Sequence, residues 1–173
     1  VVLRHLTPNE YSRPQRPLES IRAIVLHWVG NAGSSARANR NFWESRADGG
    51  MGYGSAHYVV DDIEVVEAIP PDEMAYHVGA PAYSDFALKH LGGYPNNCTL
   101  GIEMCHPDWT GEPTEAVWQA TARLAAGLMT RFNLQPYQLT THHAITGKDC
   151  PRWFLSHPEE LDRMRWDVAA LMQ

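Results

Sequence analysis

Ile21-Arg22-Ala23-Ile24-Val25-Leu26-His27-Trp28-Val29 is the stretch on which the reading of the fold turns. Apolar residues fall on both alternating faces, the pattern of a strand covered on each side, so the run predicts a central strand in a layered structure. One polar side chain, His27, lies near its C-terminal end. Strand ends of that kind often feed binding or active sites in open α/β sheets. Taken alone, a core histidine donating to a backbone carbonyl is the simpler account of it.

Working outward from this strand, residues 1–20 are polar, carry Pro8, Pro14 and Pro17, and read as an irregular arm. On the other side, Gly30 to Ser35 is a turn, and Ser34 or Ser35 can cap a helix running through Arg46. Gly49, Gly50, Gly52 and Gly54 mark a flexible loop. Ala56–Asp61 and Glu64–Ile69 read as a hairpin around Asp62, closed off by Pro70 and Pro71. Met74–Val78 reads as a further short strand. Pro81 to Asn97 is a long loop rich in Gly, Tyr and Pro, and long ordered loops are often functional. Thr99–Cys105 reads as a strand. Thr114–Asn133 is the clearest helix, with Val117, Thr121, Leu124, Leu128 and Phe132 along one side. Gln138–His142 is extended. Ser156-His157-Pro158-Glu159 has the form of a capping box opening a last helix whose Leu161, Met164, Val168 and Leu171 face inward. Strands and helices interleave, so the expected class is α/β: one domain over residues 1–173, with a central mixed sheet flanked by helices.

Composition narrows the possibilities. With 173 residues the chain can bury the core of one domain. Its 44% hydrophobic and 20% charged residues are an ordinary globular profile. A formal charge of −6 supplies no basic field for nucleic acid, and none to draw the domain onto an anionic wall. No apolar run approaches the ~20 residues that cross a bilayer, so membrane insertion is not expected. No charged-then-apolar leader opens the chain, which starts at Val1, as a trimmed domain or a mature product would; an export signal is not visible. Nothing in the sequence sets an oligomeric state, and a monomer is assumed. Cys98, Cys105 and Cys150 are too few and too odd in number for a disulfide framework. Cys98 and Cys105 would sit roughly 23 Å apart along one strand at about 3.3 Å per residue, far beyond disulfide reach.

The second chemically informative segment is His142-His143-Ala144-Ile145-Thr146-Gly147-Lys148-Asp149-Cys150-Pro151. A histidine precedes a cysteine by eight residues, across a glycine-containing loop. Zinc accepts imidazole nitrogen and thiolate, and catalytic sites keep three protein ligands plus an open position. A strand-borne histidine and this loop could supply three ligands. A polar loop with a buried thiol is the competing account, and composition alone leaves both standing.

At this point the residues resemble a known family. His142 through Pro151 is similar to the HxxxTGKxCP signature of the type 2 family of N-acetylmuramoyl-L-alanine amidases, which shares its fold with phage lysozyme amidases and animal peptidoglycan recognition proteins. Further similar segments follow in order: Tyr11-Ser12-Arg13-Pro14, Ile24-Val25-Leu26-His27 with Gly30-Asn31, Ser55-Ala56-His57-Tyr58-Val59-Val60, Ala75-Tyr76-His77-Val78-Gly79, and Leu100-Gly101-Ile102-Glu103-Met104-Cys105. The resemblance spans nearly the whole chain.

The resemblance implies one Zn2+ per chain, held by His27, His142 and Cys150 in a groove at one sheet edge, with His143 as a structural or groove-wall residue. It implies peptidoglycan as partner, the bond between N-acetylmuramic acid and L-alanine as target, and the bacterial cell wall as the place of action, reached by secretion or phage lysis. Glu103 would be the general base and Lys148 the stabiliser of the oxyanion. Alternation on the strand puts Glu103 on one face with Thr99, Gly101 and Cys105, away from Leu100, Ile102 and Met104; an ordinary salt bridge is its other account. Some members carry a catalytic tyrosine where this chain has Ala56, which adds weight to Glu103. Tyr58 is expected to pack. His57 and His77 resemble family positions that line the groove near the metal, as supporting donors or substrate contacts; a simple core role is the other account of each. Trp28, Tyr53, Tyr83 and Tyr94 are candidate surfaces for sugar or peptide, with the loops 49–54 and 81–97 as groove walls. The competing functions are a non-catalytic peptidoglycan-binding module of the same fold and a zinc peptidase acting within the stem peptide.

Overall fold

The computed structural model describes residues 1–173. Six strands form one mixed sheet: β1 (Val2–Leu3), β2 (Ala23–Trp28), β3 (Tyr58–Val60), β4 (Val65–Glu67), β5 (Thr99–Met104) and β6 (Leu139–Thr141), in the spatial order β1-β4-β3-β5-β2-β6. β2 runs parallel to β5 on one side and to β6 on the other, so it is interior, as its two-faced apolar pattern requires. β3 and β4 form the antiparallel hairpin expected around Asp62, whose neighbour Asp61 accepts from the N–H groups of Ile63 and Glu64 at 2.8 Å each.

The two faces of the sheet are covered differently. Ile24 and Leu26 of β2, with Leu100, Ile102 and Met104 of β5, turn to one face and pack under α3 (Glu115–Phe132) and α6 (Glu159–Leu171) in one continuous core. The other face carries two smaller apolar clusters. One gathers Val59, Val66 and Ala56 beneath Ala36 and Trp43 of α1 (Ala36–Ser45). The second gathers Val25 and Cys98 with Ala87 and Leu91 of α2 (Asp85–Leu91) and Ile145 of α4 (His142–Thr146). By strand alternation His27 and Glu103 belong to this second face. The face that bears the polar residues is thus the one with two separate apolar clusters.

Local signals explain most helix ends. Ser35, Ser84 and Thr114 each accept an N–H of the first turn of α1, α2 and α3. Asn133, at φ 55°, closes α3.

Five expectations are corrected. The N-terminal arm is not wholly irregular, because Val2–Leu3 adds a parallel strand to β4; the pairing partner lies more than sixty residues away, so no local pattern announces it. Met74–Val78 is buried but is no strand. Its N–H groups go instead to Arg16 O (Met74), Ser55 Oγ (Tyr76) and Asn96 Oδ1 (His77 and Val78). The segment 81–97 contains α2, anchored by buried Ala87 and Leu91. The capping box at 156–159 does not form: Ser156 is the last residue of an additional helix, α5 (Arg152–Ser156), and its hydroxyl donates back to Arg152 O at 3.3 Å. Leu171 is 48% exposed rather than inward, one turn beyond where α6 leaves the core.

Candidate metal centre

β2, β5 and β6 end at the same side of the sheet, and their C-terminal ends build the site. His27 is the fifth residue of β2 and is buried. His142 follows directly after β6 as the first residue of α4, whose N-terminus is capped by the Thr141 side chain, accepting from Ala144 N. Gly147, at φ 82°, closes α4 and turns the chain back. Cys150 N–H then donates to Lys148 O at 2.8 Å, and His143 N–H to Cys150 O at 2.9 Å. That hydrogen-bonded loop brings Cys150 Sγ under the two imidazoles.

Nδ1 of His27 lies 3.1 Å from Nδ1 of His142 and 3.6 Å from Cys150 Sγ, and all three ligand atoms lie within 4.8 Å of one another. In a tetrahedral zinc site with Zn–N ~2.05 Å and Zn–S ~2.3 Å, two nitrogens would be about 3.3 Å apart and nitrogen and sulfur about 3.6 Å. The observed separations from His27 fit that frame. Burial keeps the His27 imidazole neutral, with further repulsion from His77 and His142. Burial, aided by Lys148, lowers His142 to about 4. Neutral imidazole is the form that ligates a metal. Burial also pushes the Cys150 thiol up, and Glu103 adds to this. Thiolate formation here therefore calls for a compensating cation, which a metal would be. The donor set, its spacing and its electrostatics fit a zinc-class ion.

Glu103 sits on β5 beside His27, reaches into the same cavity, and has one carboxylate oxygen, Oε2, buried without a partner. Burial raises its pKa to about 8, against the pull of Lys148. The Lys148 ammonium lines the cavity and takes part in no hydrogen bond or ion pair with the protein. The cavity itself, about 1190 Å³, runs over the ligand cluster. Tyr53 and Gly54 of the glycine loop and Pro81, Tyr83, Gly93 and Tyr94 of the long segment are among its walls, as the sequence suggested.

The remaining expected residues divide. Tyr94 lines the cavity and is 37% exposed. Trp28 lines it too, but its ring already stacks on His106, with centroids 4.8 Å apart, and lies under the Arg152 guanidinium at 4.5 Å, while its indole N–H donates to Asp149 O. Tyr58 packs, fully buried. His143 is exposed and its Nδ1 bonds Lys148 O. For His57 the structure favours the core role over substrate contact: it is fully buried, its Nδ1 accepts from Gly101 N at 3.0 Å and its Nε2 donates to Glu73 O at 2.8 Å, so no ring nitrogen is left for a molecule in the groove. His77 touches the cavity, but both its nitrogens are also engaged, one of them with His27 Nε2 at 2.9 Å. Sequence reading missed Arg16, Trp43, Arg46 and Tyr76 in the walls. They come from three separate stretches of chain, and only Tyr76 falls inside a segment that the sequence singled out.

A mixed sheet with His27, His142 and Cys150 converging beneath a groove defines a single domain with a candidate metal-binding triad at its strand ends. Residues 16–153 match the family described as N-acetylmuramoyl-L-alanine amidase. A probable N-acetylmuramoyl-L-alanine amidase of Bacillus licheniformis is 31% identical over 99% of this chain, and the amidase CwlL of the same organism is 30% identical over 99%. The chain spans 48% and 47% of those two relatives, about half their length. Among solved structures, the PlyG catalytic domain superposes with a TM-score of 0.79 at 18% identity, covering 99% of this chain and 94% of that one. The catalytic domain of XlyA gives 0.74 at 22% identity, covering 97% and 99%. The chain belongs to the N-acetylmuramoyl-L-alanine amidase family.

Proposed function

We propose that this domain hydrolyses the amide bond between N-acetylmuramic acid and the L-alanine of the stem peptide in bacterial peptidoglycan, using one zinc ion held by His27, His142 and Cys150. The observation that carries this reading is the convergence of three ligand atoms within 4.8 Å beside a carboxylate oxygen that has no protein partner, all on one groove. Zinc bound there supplies Lewis-acid polarisation of the scissile carbonyl and lowers the pKa of water.

Glu103 Oε2 takes the proton of the attacking water and returns it to the leaving nitrogen. Its raised pKa suits both halves of that task, because a carboxylate that holds protons near neutrality can also give one up there. Lys148, free of protein partners, turns its ammonium to the negative charge that develops on the carbonyl oxygen. Tyr94, Tyr83 and Tyr53 present exposed or half-exposed rings along the groove for sugar or peptide. No helix is long and apolar enough to cross a membrane, and the proposed place of action is the cell wall.

The test combines metal content with product analysis. The purified domain should hold one zinc per chain and release L-alanine amino termini from purified peptidoglycan, and Cys150→Ser should lose both properties together. Full zinc and full activity in Cys150→Ser would remove the ligand assignment. Cleavage only within the stem peptide would make the domain a peptidase, and wall binding without any amine release would make it a recognition module.

A further inference from the structure

We infer that His77 is a positioning residue for the metal centre: it takes the Nε2 proton of His27 and thereby fixes the tautomer and ring orientation in which His27 presents Nδ1. The inference rests on His27 Nδ1 being a ligand atom, as proposed above.

The proton inventory runs in one direction. His27 Nδ1 faces His142 Nδ1 and Cys150 Sγ, so the ligating form of His27 carries its proton on Nε2. Nε2 has one partner, His77 Nδ1, at 2.9 Å, which must then accept. That places the His77 proton on its own Nε2, where Thr99 offers its hydroxyl at 3.0 Å and its carbonyl at 3.3 Å. The Thr99 hydroxyl donates onward to Pro95 O at 2.8 Å, leaving its oxygen to accept from His77. Each donor in the series meets an acceptor, and the series ends on a backbone carbonyl that cannot reverse it. Histidine ligands depend on such partners for orientation and basicity.

The surroundings hold His77 in this place. Asn96, 1% exposed, accepts the backbone N–H groups of His77 and Val78 at 3.2 and 3.0 Å, which fixes a segment that has no sheet ladder. On β5 the residue beneath the His77 ring is Gly101. A Cβ there would come within 2.7 Å of Nδ1 and 2.8 Å of Cγ, so only glycine lets the imidazole lie against the strand. Thr99, Gly101 and Asn96 are all buried, Asn96 also bordering the groove, and together they aim one nitrogen at His27.

Two variants and one spectrum test this. His77→Phe keeps ring volume and removes the acceptor. His77→Asn places an amide oxygen near the former Nδ1. Zinc affinity is measured by chelator competition on folded protein. Wild type should bind one zinc, His77→Phe should bind it 10–100-fold more weakly, and His77→Asn should recover most of the loss. Equal affinity of folded His77→Phe and wild type overturns the inference, as does a His77→Asn variant no better than His77→Phe. A wild type that binds no zinc instead overturns the metal reading itself. Should His77→Phe fail to fold, imidazole 15N shifts of zinc-loaded wild type decide: protons on Nε2 of both His27 and His77 support the inference, and a proton on His77 Nδ1 ends it.

Discussion

His27 and Glu103 stand directly opposite one another in the parallel register of β2 and β5. Their spacing is therefore set by a backbone ladder and not by a loop. The proposed ligand and the proposed proton acceptor share one face of one sheet and keep their mutual geometry whatever the groove walls do.

Glu103→Gln is expected to lower kcat by roughly 10²–10⁴ while leaving zinc binding in place, since it removes the proton acceptor at nearly constant shape. The same change should stabilise the metal-free protein at alkaline pH. Glu103 is raised from 4.5 to about 8 in the fold, so the folded state holds a proton that the unfolded state has lost across that window. Wild-type stability therefore falls as pH rises from 4.5 to 8, and Gln escapes the fall. Melting temperatures of both metal-free proteins at pH 5 and pH 8 check this: the variant's advantage should grow with pH. Near-normal turnover in the folded, zinc-loaded variant would demote Glu103 to a structural role.

His142→Ala should abolish activity and zinc binding, whereas His143→Ala should retain much of both. The two are successive residues at the start of α4, so their side chains leave the helix in different directions. Only His142 is buried in the ligand cluster. Zinc content and turnover of the two variants decide between them, and the opposite pattern moves the ligand to His143.

Acid should destabilise the metal-free domain through its buried imidazoles. His57 is lowered by burial from 6.5 to about 4. Between those values the unfolded chain binds the proton and the fold does not, so the stability contributed by neutral His57 is lost as pH falls from about 6.5 towards 4. His142 is lowered to the same region and adds to the loss. Thermal melts of metal-free Glu103→Gln isolate this limb, because the opposing carboxyl is gone. A melting temperature that stays flat between pH 6.5 and 4 contradicts the prediction.

Arg13→Lys should cost about 1.5–3 kcal/mol, the scale for losing hydrogen bonds to a charged group. Arg13 grips Glu73 through Nε at 2.8 Å and Nη2 at 2.7 Å, and its Nη1 donates to Leu6 O. Lysine has one nitrogen and cannot make this fork. The pair is mostly buried, with 13% and 17% of the side chains exposed, so solvent replaces little of it. Denaturant melts give the difference, and a cost below 0.5 kcal/mol, the ordinary scale of a surface substitution, would show the arm to be held elsewhere.

Elements that stabilise themselves were readable from the sequence. β2, β5 and α3 carry their own periodicity and caps, and each lies within two residues of where the pattern puts it. The candidate ligands were legible through the family resemblance, carried by a strand end and one short loop; residue types and spacing alone left a buried polar loop standing beside a metal site. Segments held by distant partners were not. β1 exists through β4, and Met74–Val78 mimics a strand by lending its N–H groups to Arg16, Ser55 and Asn96. α2 did carry a local mark, Ser84 as a cap, but the prolines and glycines around it outweighed a helix of only seven residues. His57 and His77 look alike as strand-adjacent histidines, and only tertiary packing separates a backbone brace from a neighbour of His27.

The strands that build the site are all joined over long stretches of chain. His27 meets His142 across 115 residues and Cys150 across 123. Loop closure on that scale must precede any reward from the contacts, so these pairings carry an entropic cost that local contacts do not. During synthesis His27 waits for His142 and Cys150 until residue 150 has left the ribosome. A nascent or truncated chain ending before Cys150 therefore holds at most two of the three proposed donors.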